Sequence, residues 1–119
     1  MGTKKYTSFE DLEVWKKARE LVKFVYSFSK GIPNRSFQDQ LQRAAISVMN
    51  NIAEGHEGGS PKTLVRYLKI AKGSCGEVRS MLYAGSDLRY LSFGKQREGL
   101  ERAAELSRML AGFIKNVAK

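Results

Sequence analysis

Absences narrow this chain before any motif does. One cysteine, Cys75, stands among 119 residues, so no internal disulfide framework can staple the fold, and a lone thiol fits a reducing compartment. One histidine, His56, excludes zinc motifs that pair two histidines at helical spacing. The two prolines, Pro33 and Pro61, both stand beside breaks in the apolar pattern. No apolar run approaches the roughly 20 residues of a membrane span. The opening residues MGTKKYTSFEDLEVW lack the apolar core of a signal peptide. Together these absences predict a cytoplasmic protein with no membrane partner. No strand-length stretch alternates polar and apolar residues, which leaves helices as the regular structure to expect.

Positive charge is in excess. Twenty-one Lys and Arg face 12 Asp and Glu, giving +9 and a pI near 9.9. Residues 1–32, 33–60, 61–91 and 92–119 carry +3, −1, +4 and +3. The excess therefore avoids the second segment. Such a balance fits a polyanion partner, most often RNA or DNA, against the plainer alternative of a solvated basic surface.

The length suits one domain, 1–119, able to fold without a metal or disulfide. Apolar spacing predicts helices over about 8–30, 36–55, 60–91 and 95–117. Their buried lines are Val14-Ala18-Leu21-Val25-Phe28, Phe37-Leu41-Ala45-Val48-Ile52, Leu64-Leu68-Ala71-Cys75-Val78-Leu82 and Leu100-Ala103-Leu106-Leu110-Phe113-Val117. Ser8 with Asp11 and Ser36 with Asp39 suggest N-terminal caps, Ser60-Pro61 gives a stronger one, and Gly31 is the expected C-terminal cap of the first helix. Short connectors predict antiparallel neighbours. The fold expected is all-α, an up-down-up-down four-helix bundle. Gly73 and Gly76 interrupt the third helix at about 1 kcal/mol each, predicting a close helix crossing or a kink. Apolar residues beyond one stripe, among them Trp15, Tyr26, Ile70 and Leu88, predict a second buried interface and a homo-oligomer.

The second helix carries a polar line, Gln40, Arg43, Ser47, Asn50, Asn51 and Glu54, on one face. A catalytic reading would make Glu54 a general base assisted by His56 or Arg43. Ser47, however, has no histidine at a helical offset, and a metal site of Glu54, His56 and Glu57 matches no standard spacing. No enzyme, catalytic residue, metal or cofactor is therefore expected. The preferred reading is a structural polar seam of Gln40, Arg43, Ser47, Asn51 and Glu54, with Arg66 a candidate mate for Glu54. If Glu54 is buried and paired, its loss would cost about 3–5 kcal/mol.

Basic residues also recur on helical faces. Lys16, Arg19, Lys23 and Lys30 share one on the first helix, with Glu13 and Glu20 beside them. The third carries Lys62, Arg66, Lys69, Lys72 and Arg79 with Glu77 alone nearby. The fourth has Arg97, Arg102, Arg108 and Lys115 among glutamates. Lys16, Lys23, Lys62, Arg66, Lys69, Lys72 and Arg79 are the candidate nucleic-acid contacts, through phosphates. No RNP aromatic motif, zinc finger or clear helix-turn-helix signature marks base reading. The alternative is a protein-interaction scaffold, for example for a nucleic-acid-processing enzyme.

Three stretches, FEDLEVWKKARELVKFVY, QLQRAAISVMNNIAEG and RYLKIAKGSCGEVRSMLYAGSDLRYLS, resemble the four-helix bundle family of 23S rRNA intervening-sequence proteins. The resemblance covers about residues 8–117. Gln40, Leu41, Arg43, Ala44, Ser47, Asn51, Ile52, Ala53, Glu54 and Gly55 match the central family motif, and Gly73, Ser74 and Glu77 match a later one. Gln42 replaces a usual arginine, Met49 a usual proline, and Gly58-Gly59 the frequent loop arginines. Without that proline the second helix should be straighter. The family is similar in architecture to the accessory variability protein of diversity-generating retroelements, a basic pentameric barrel that binds nucleic acid and a reverse transcriptase. The resemblance therefore implies a ring-shaped homopentamer.

Overall fold

A computed structural model describes residues 8–119. Four helices account for most of them: α1 (Glu13–Ser29), α2 (Arg35–Glu57), α3 (Pro61–Asp87) and α4 (Phe93–Ala118). No strand occurs among the described residues. Three of the helices begin where a side chain satisfies a free N–H group. Asn34 Oδ1 accepts from the Phe37 N–H at 2.8 Å, Ser60 Oγ from Thr63 at 3.1 Å, and Ser92 Oγ from Lys95 at 3.1 Å. The caps correct two expected starts. Asn34 rather than Ser36 opens α2, and α4 begins at Phe93 rather than Lys95.

The first helix starts later than its spacing suggests. Phe9–Asp11 form one 3-10 turn, Ser8 makes no side-chain cap bond, and Leu12 is extended (φ −77°, ψ 128°) before α1 begins. This break puts Leu12 in the core and sets the Phe9 ring 5.2 Å from that of Trp15. Burying a leucine is worth about 1.5–3 kcal/mol, enough to offset the helical hydrogen bonds given up there. At the other end of α1, Gly31 is not left-handed. Among the described residues, positive φ occurs at Gly59 (84°) and Arg89 (64°).

Arg89 explains why α3 stops at Asp87 and not at Leu91. The Tyr90 N–H donates to Gly85 O at 2.8 Å and the Arg89 N–H to Ser86 O at 3.0 Å. This is a Schellman closure with arginine in the position glycine usually takes. The turn sends Tyr90 back onto Phe37, ring centroids 5.1 Å apart, and Leu91 back over Gly85.

Side-chain contacts set the order of the bundle. Ser47 meets Ser74 and Gly55 meets Tyr67, so α2 and α3 run antiparallel. Gly99 meets Leu82, while the earlier Lys72 and Arg79 of α3 lie beside the later Ala104, Arg108 and Ala111 of α4, so these two helices are antiparallel as well. Lys17 pairs with Glu105, and Lys95 and Arg102 lie over Phe24, closing α4 onto α1. The backbones of the diagonal pairs, α1 with α3 and α2 with α4, nowhere come within 8 Å, Cα to Cα. Leu21, Leu41, Ile52, Leu68, Leu82, Leu106 and Leu110 fill the axis. Extents of 52 × 21 × 19 Å describe a rod. Its radius of gyration, 15.0 Å, exceeds the roughly 13.5 Å of an average chain this long. A rod leaves long lateral grooves between neighbouring helices.

Two glycines permit this packing. A Cβ on Gly55 would lie 2.8 Å from Tyr67 Cβ and 3.3 Å from the Leu64 carbonyl oxygen. One on Gly99 would lie 2.7 Å from Leu82 Cδ1. Gly73 and Gly76 behave otherwise. Neither has any atom within 4 Å of a built Cβ, and α3 runs through both without a break, so within one chain they mark no crossing. Gly55→Ala should therefore lower stability by about 1–3 kcal/mol through overpacking, although alanine is about 1 kcal/mol the better helix former. A urea midpoint equal to or above that of the native sequence would contradict this account.

Candidate nucleic-acid interface

The cations on α1 and α3 stand in different surroundings. On α1, Lys16 Nζ is 3.4 Å from Glu13, Lys23 Nζ 3.8 Å from Glu20, and Lys17 Nζ 3.6 Å from Glu105. Exposed pairs of this kind add at most about 1 kcal/mol of stability, but each carboxylate cancels much of the local positive field. On α3, Lys62, Arg66, Lys69, Lys72 and Arg79 are all exposed, and none forms an ion pair among the described residues. Arg66 instead lies over the Tyr67 ring, 5.0 Å from its centroid.

The α3 cations do not form one line. Lys72 and Arg79 turn towards α4, where they border an open groove of about 360 Å³ with Ala104, Ser107, Arg108 and Ala111. Three cations from two helices thus line one concavity, and no carboxylate is among its walls. The small side chains Ala104 and Ala111 keep it open. Lys62 sits at the far end of α3, beside Val65, Val117 and Lys119. Arg108 is the member that spacing along a single helix could not select, because its cationic neighbours in the groove come from α3.

Cys75 lies under this surface, fully buried. Burial pushes its thiol up to about 12, against the opposing pull of Arg79 and Lys72. A neutral, enclosed thiol is neither a nucleophile nor a ready redox centre.

The polar line of α2 keeps its face and changes its membership. Ser47 Oγ and Ser74 Oγ share a hydrogen bond at 2.9 Å across the α2–α3 contact. Asn51 Nδ2 donates to Ser47 O at 2.8 Å and to Ser47 Oγ at 2.9 Å. These three residues form a connected, half-buried network. Gln40 and Glu54 are exposed, and Arg43 pairs in solvent with Asp39 at 2.9 Å. Glu54 has no ion-pair partner among the described residues, Arg66 included, which removes the buried charge the spacing suggested. A second polar link lies elsewhere. Gln42 Nε2 donates to the Oγ of fully buried Ser29 at 2.8 Å, and Gln38 Nε2 donates to the Ser29 carbonyl at 2.8 Å, tying α2 to the end of α1. Sequence spacing could not show it, since its members lie on two helices.

His56 Nδ1 is buried without a hydrogen-bond partner and stands 4.0 Å from Glu57. No group of three His, Cys, Asp or Glu side chains among the described residues is placed to hold a metal ion. No helix among the described residues is long and apolar enough to cross a membrane.

These features define an all-α bundle protein with a cationic groove along one side. The family model described as 23S rRNA-intervening sequence protein matches residues 10–112, most of the chain, and the protein belongs to that family. Its fold is similar to that of a crystallised protein of unknown function from the S23 ribosomal protein family of Bacteroides thetaiotaomicron VPI-5482. The TM-score is 0.79 at 21% identity, over 86% of this chain and 98% of the other. No curated protein matches the sequence.

The seam yields a direct comparison. Asn51→Ala should cost about 1–2 kcal/mol by leaving the Ser47–Ser74 pair short of a donor, whereas Glu54→Ala should stay within about 0.5 kcal/mol, as exposed substitutions do. Thermal melts of the two variants test the order, and a larger loss at Glu54 would restore the buried-charge reading.

Proposed function

We propose that the protein is a non-enzymatic, oligomeric bundle that binds RNA or DNA through phosphate contacts on the α3–α4 side. One observation carries this reading: Lys72, Arg79 and Arg108 line a single groove in which no carboxylate competes for them. Exposed, unpaired cations are what a phosphate needs, since each contact releases a condensed counterion. Lys62, Arg66 and Lys69 extend the positive field along α3. Lys16 and Lys23 contribute less, because Glu13 and Glu20 stand beside them. Such contacts position a polyanion without reading its sequence.

In this reading the working unit is a cytoplasmic homo-oligomer, a ring of five by resemblance to the accessory variability protein of diversity-generating retroelements. Two features of α3 support a second chain there: Ile70 is 45% exposed, and Gly73 and Gly76 leave open approaches. Repeating a +9 subunit around a ring would multiply weak contacts. A scaffold for a nucleic-acid-processing enzyme is the second reading. Leu88, 55% exposed at the α3–α4 turn, favours it as an apolar contact point.

Two measurements test the proposal. Replacing Lys72, Arg79 and Arg108 together with glutamine should reduce the slope of log affinity against log salt for duplex DNA by about 2 to 3, near 0.9 per lost contact. Binding that is absent at low salt, or that ignores salt, overturns the reading. Light scattering should give a mass several times the 13.4 kDa of one chain, and Gly73→Leu should bring it down while the helices stay folded. A native mass of 13.4 kDa would remove the ring.

A further inference from the structure

We propose that the α3–α4 face takes single-stranded nucleic acid in particular, with the exposed rings of Tyr83 and Phe93 stacking on bases beside the phosphate-binding cations. This rests on the phosphate-binding reading above and narrows it.

Both helices carry their share of the track at helical spacing. On α3, Lys72, Arg79 and Tyr83 fall at i, i+7 and i+11, so they share one face. On α4, Phe93, Arg97, Ala104, Arg108 and Ala111 recur at +4, +7, +4 and +3, again on one face. The groove walls show that both faces turn to the same side of the bundle, since Lys72 and Arg79 meet Ala104, Arg108 and Ala111 there. The Gly99–Leu82 contact sets the register, placing Tyr83 level with the early turns of α4. Rings and cations therefore follow one another along the rod. Lys72 and Tyr83 are eleven residues apart on one helix, roughly 16 Å at its rise per residue.

These rings differ from the other aromatics. Trp15 is covered by Phe9 and Arg19, Phe37 packs on Tyr90, and Phe24 on Phe28. Tyr83 is 54% exposed with no ring or cation partner among the described residues. Phe93 is 66% exposed, and the Arg97 guanidinium lies 5.8 Å from its centroid. Large apolar rings left in water beside unpaired cations suit a ligand with both π-faces and phosphates. Single strands offer both, and stacking on them tolerates any sequence. A duplex keeps its bases stacked inside and can use the cations alone.

The test uses the full chain, with fluorescence anisotropy on labelled single strands of about 12 nucleotides, within the usual range of such sites, and on a duplex of the same length. Tyr83→Ala with Phe93→Ala should weaken single-strand binding by at least about 10-fold, given stacking worth roughly 5- to 150-fold per base. Duplex binding should change by less than about twofold, because phosphate contacts are untouched. Tyr83→Trp with Phe93→Trp should retain single-strand affinity. The stacking proposal is overturned if the double alanine variant binds single strands as the native protein does, or loses both ligands equally. In those cases salt-dependent duplex binding would still support the broader reading. Binding to neither ligand would overturn both.

Discussion

The bundle depends on how closely α3 can approach its neighbours. It is gripped on one side by α2 and on the other by α4, and each contact has a point where a Cβ would not fit. At Gly55 the α2 backbone comes against Tyr67 and the Leu64 carbonyl. At Gly99 the α4 backbone comes against Leu82. Interiors pack at near-crystalline density, so a methyl group at either place must push something aside. Holding α3 this tightly on two flanks fixes which of its residues point outwards. The register of the cationic groove is therefore a consequence of glycines that touch no ligand.

Electrostatics then separates the faces. The carboxylates of α1 and α4 are largely spent on nearby lysines and arginines, as in Glu13–Lys16, Glu20–Lys23, Glu98–Arg102 and Lys17–Glu105. The α3 cations have no such neighbours. Positive charge is thus partly neutralised by ion pairs on α1 and stands free of them on α3. Fields of this kind steer polyanions, and a concave wall raises their effect. The inner polar contacts do different work. Ser47, Asn51 and Ser74 join α2 to α3, while Gln38 and Gln42 join α2 to the Ser29 turn. Both sets satisfy half-buried groups and carry no net charge.

The helical class was legible because the apolar lines are long and regular. Leu68, Ala71, Cys75, Val78 and Leu82 were all readable as core, and all are fully buried. Ser60-Pro61 was readable as a helix start for the same local reason. Boundaries decided by tertiary contact were not legible. Leu12 leaves the helix to reach the core, and Arg89 takes a left-handed turn that lets Tyr90 return to Phe37. The polar line on α2 was visible as a face. Which members were buried was not visible, because exposure depends on where α3 lies. That is why Ser47 and Asn51 found a partner in Ser74 while Glu54 stayed in water.

The sequence by itself determined the helices, their amphipathic faces and the excess of positive charge, since each depends on spacing along one segment. Its motifs also pointed to the family that the chain matches over residues 10–112. The tertiary structure alone decided which cations stand together. Lys72 and Arg79 are separated from Arg108 by about thirty residues of chain, and only the antiparallel packing of α3 on α4 brings them into one groove. Proximity across helices is set by core packing and close approach at glycine, which no single-helix periodicity encodes.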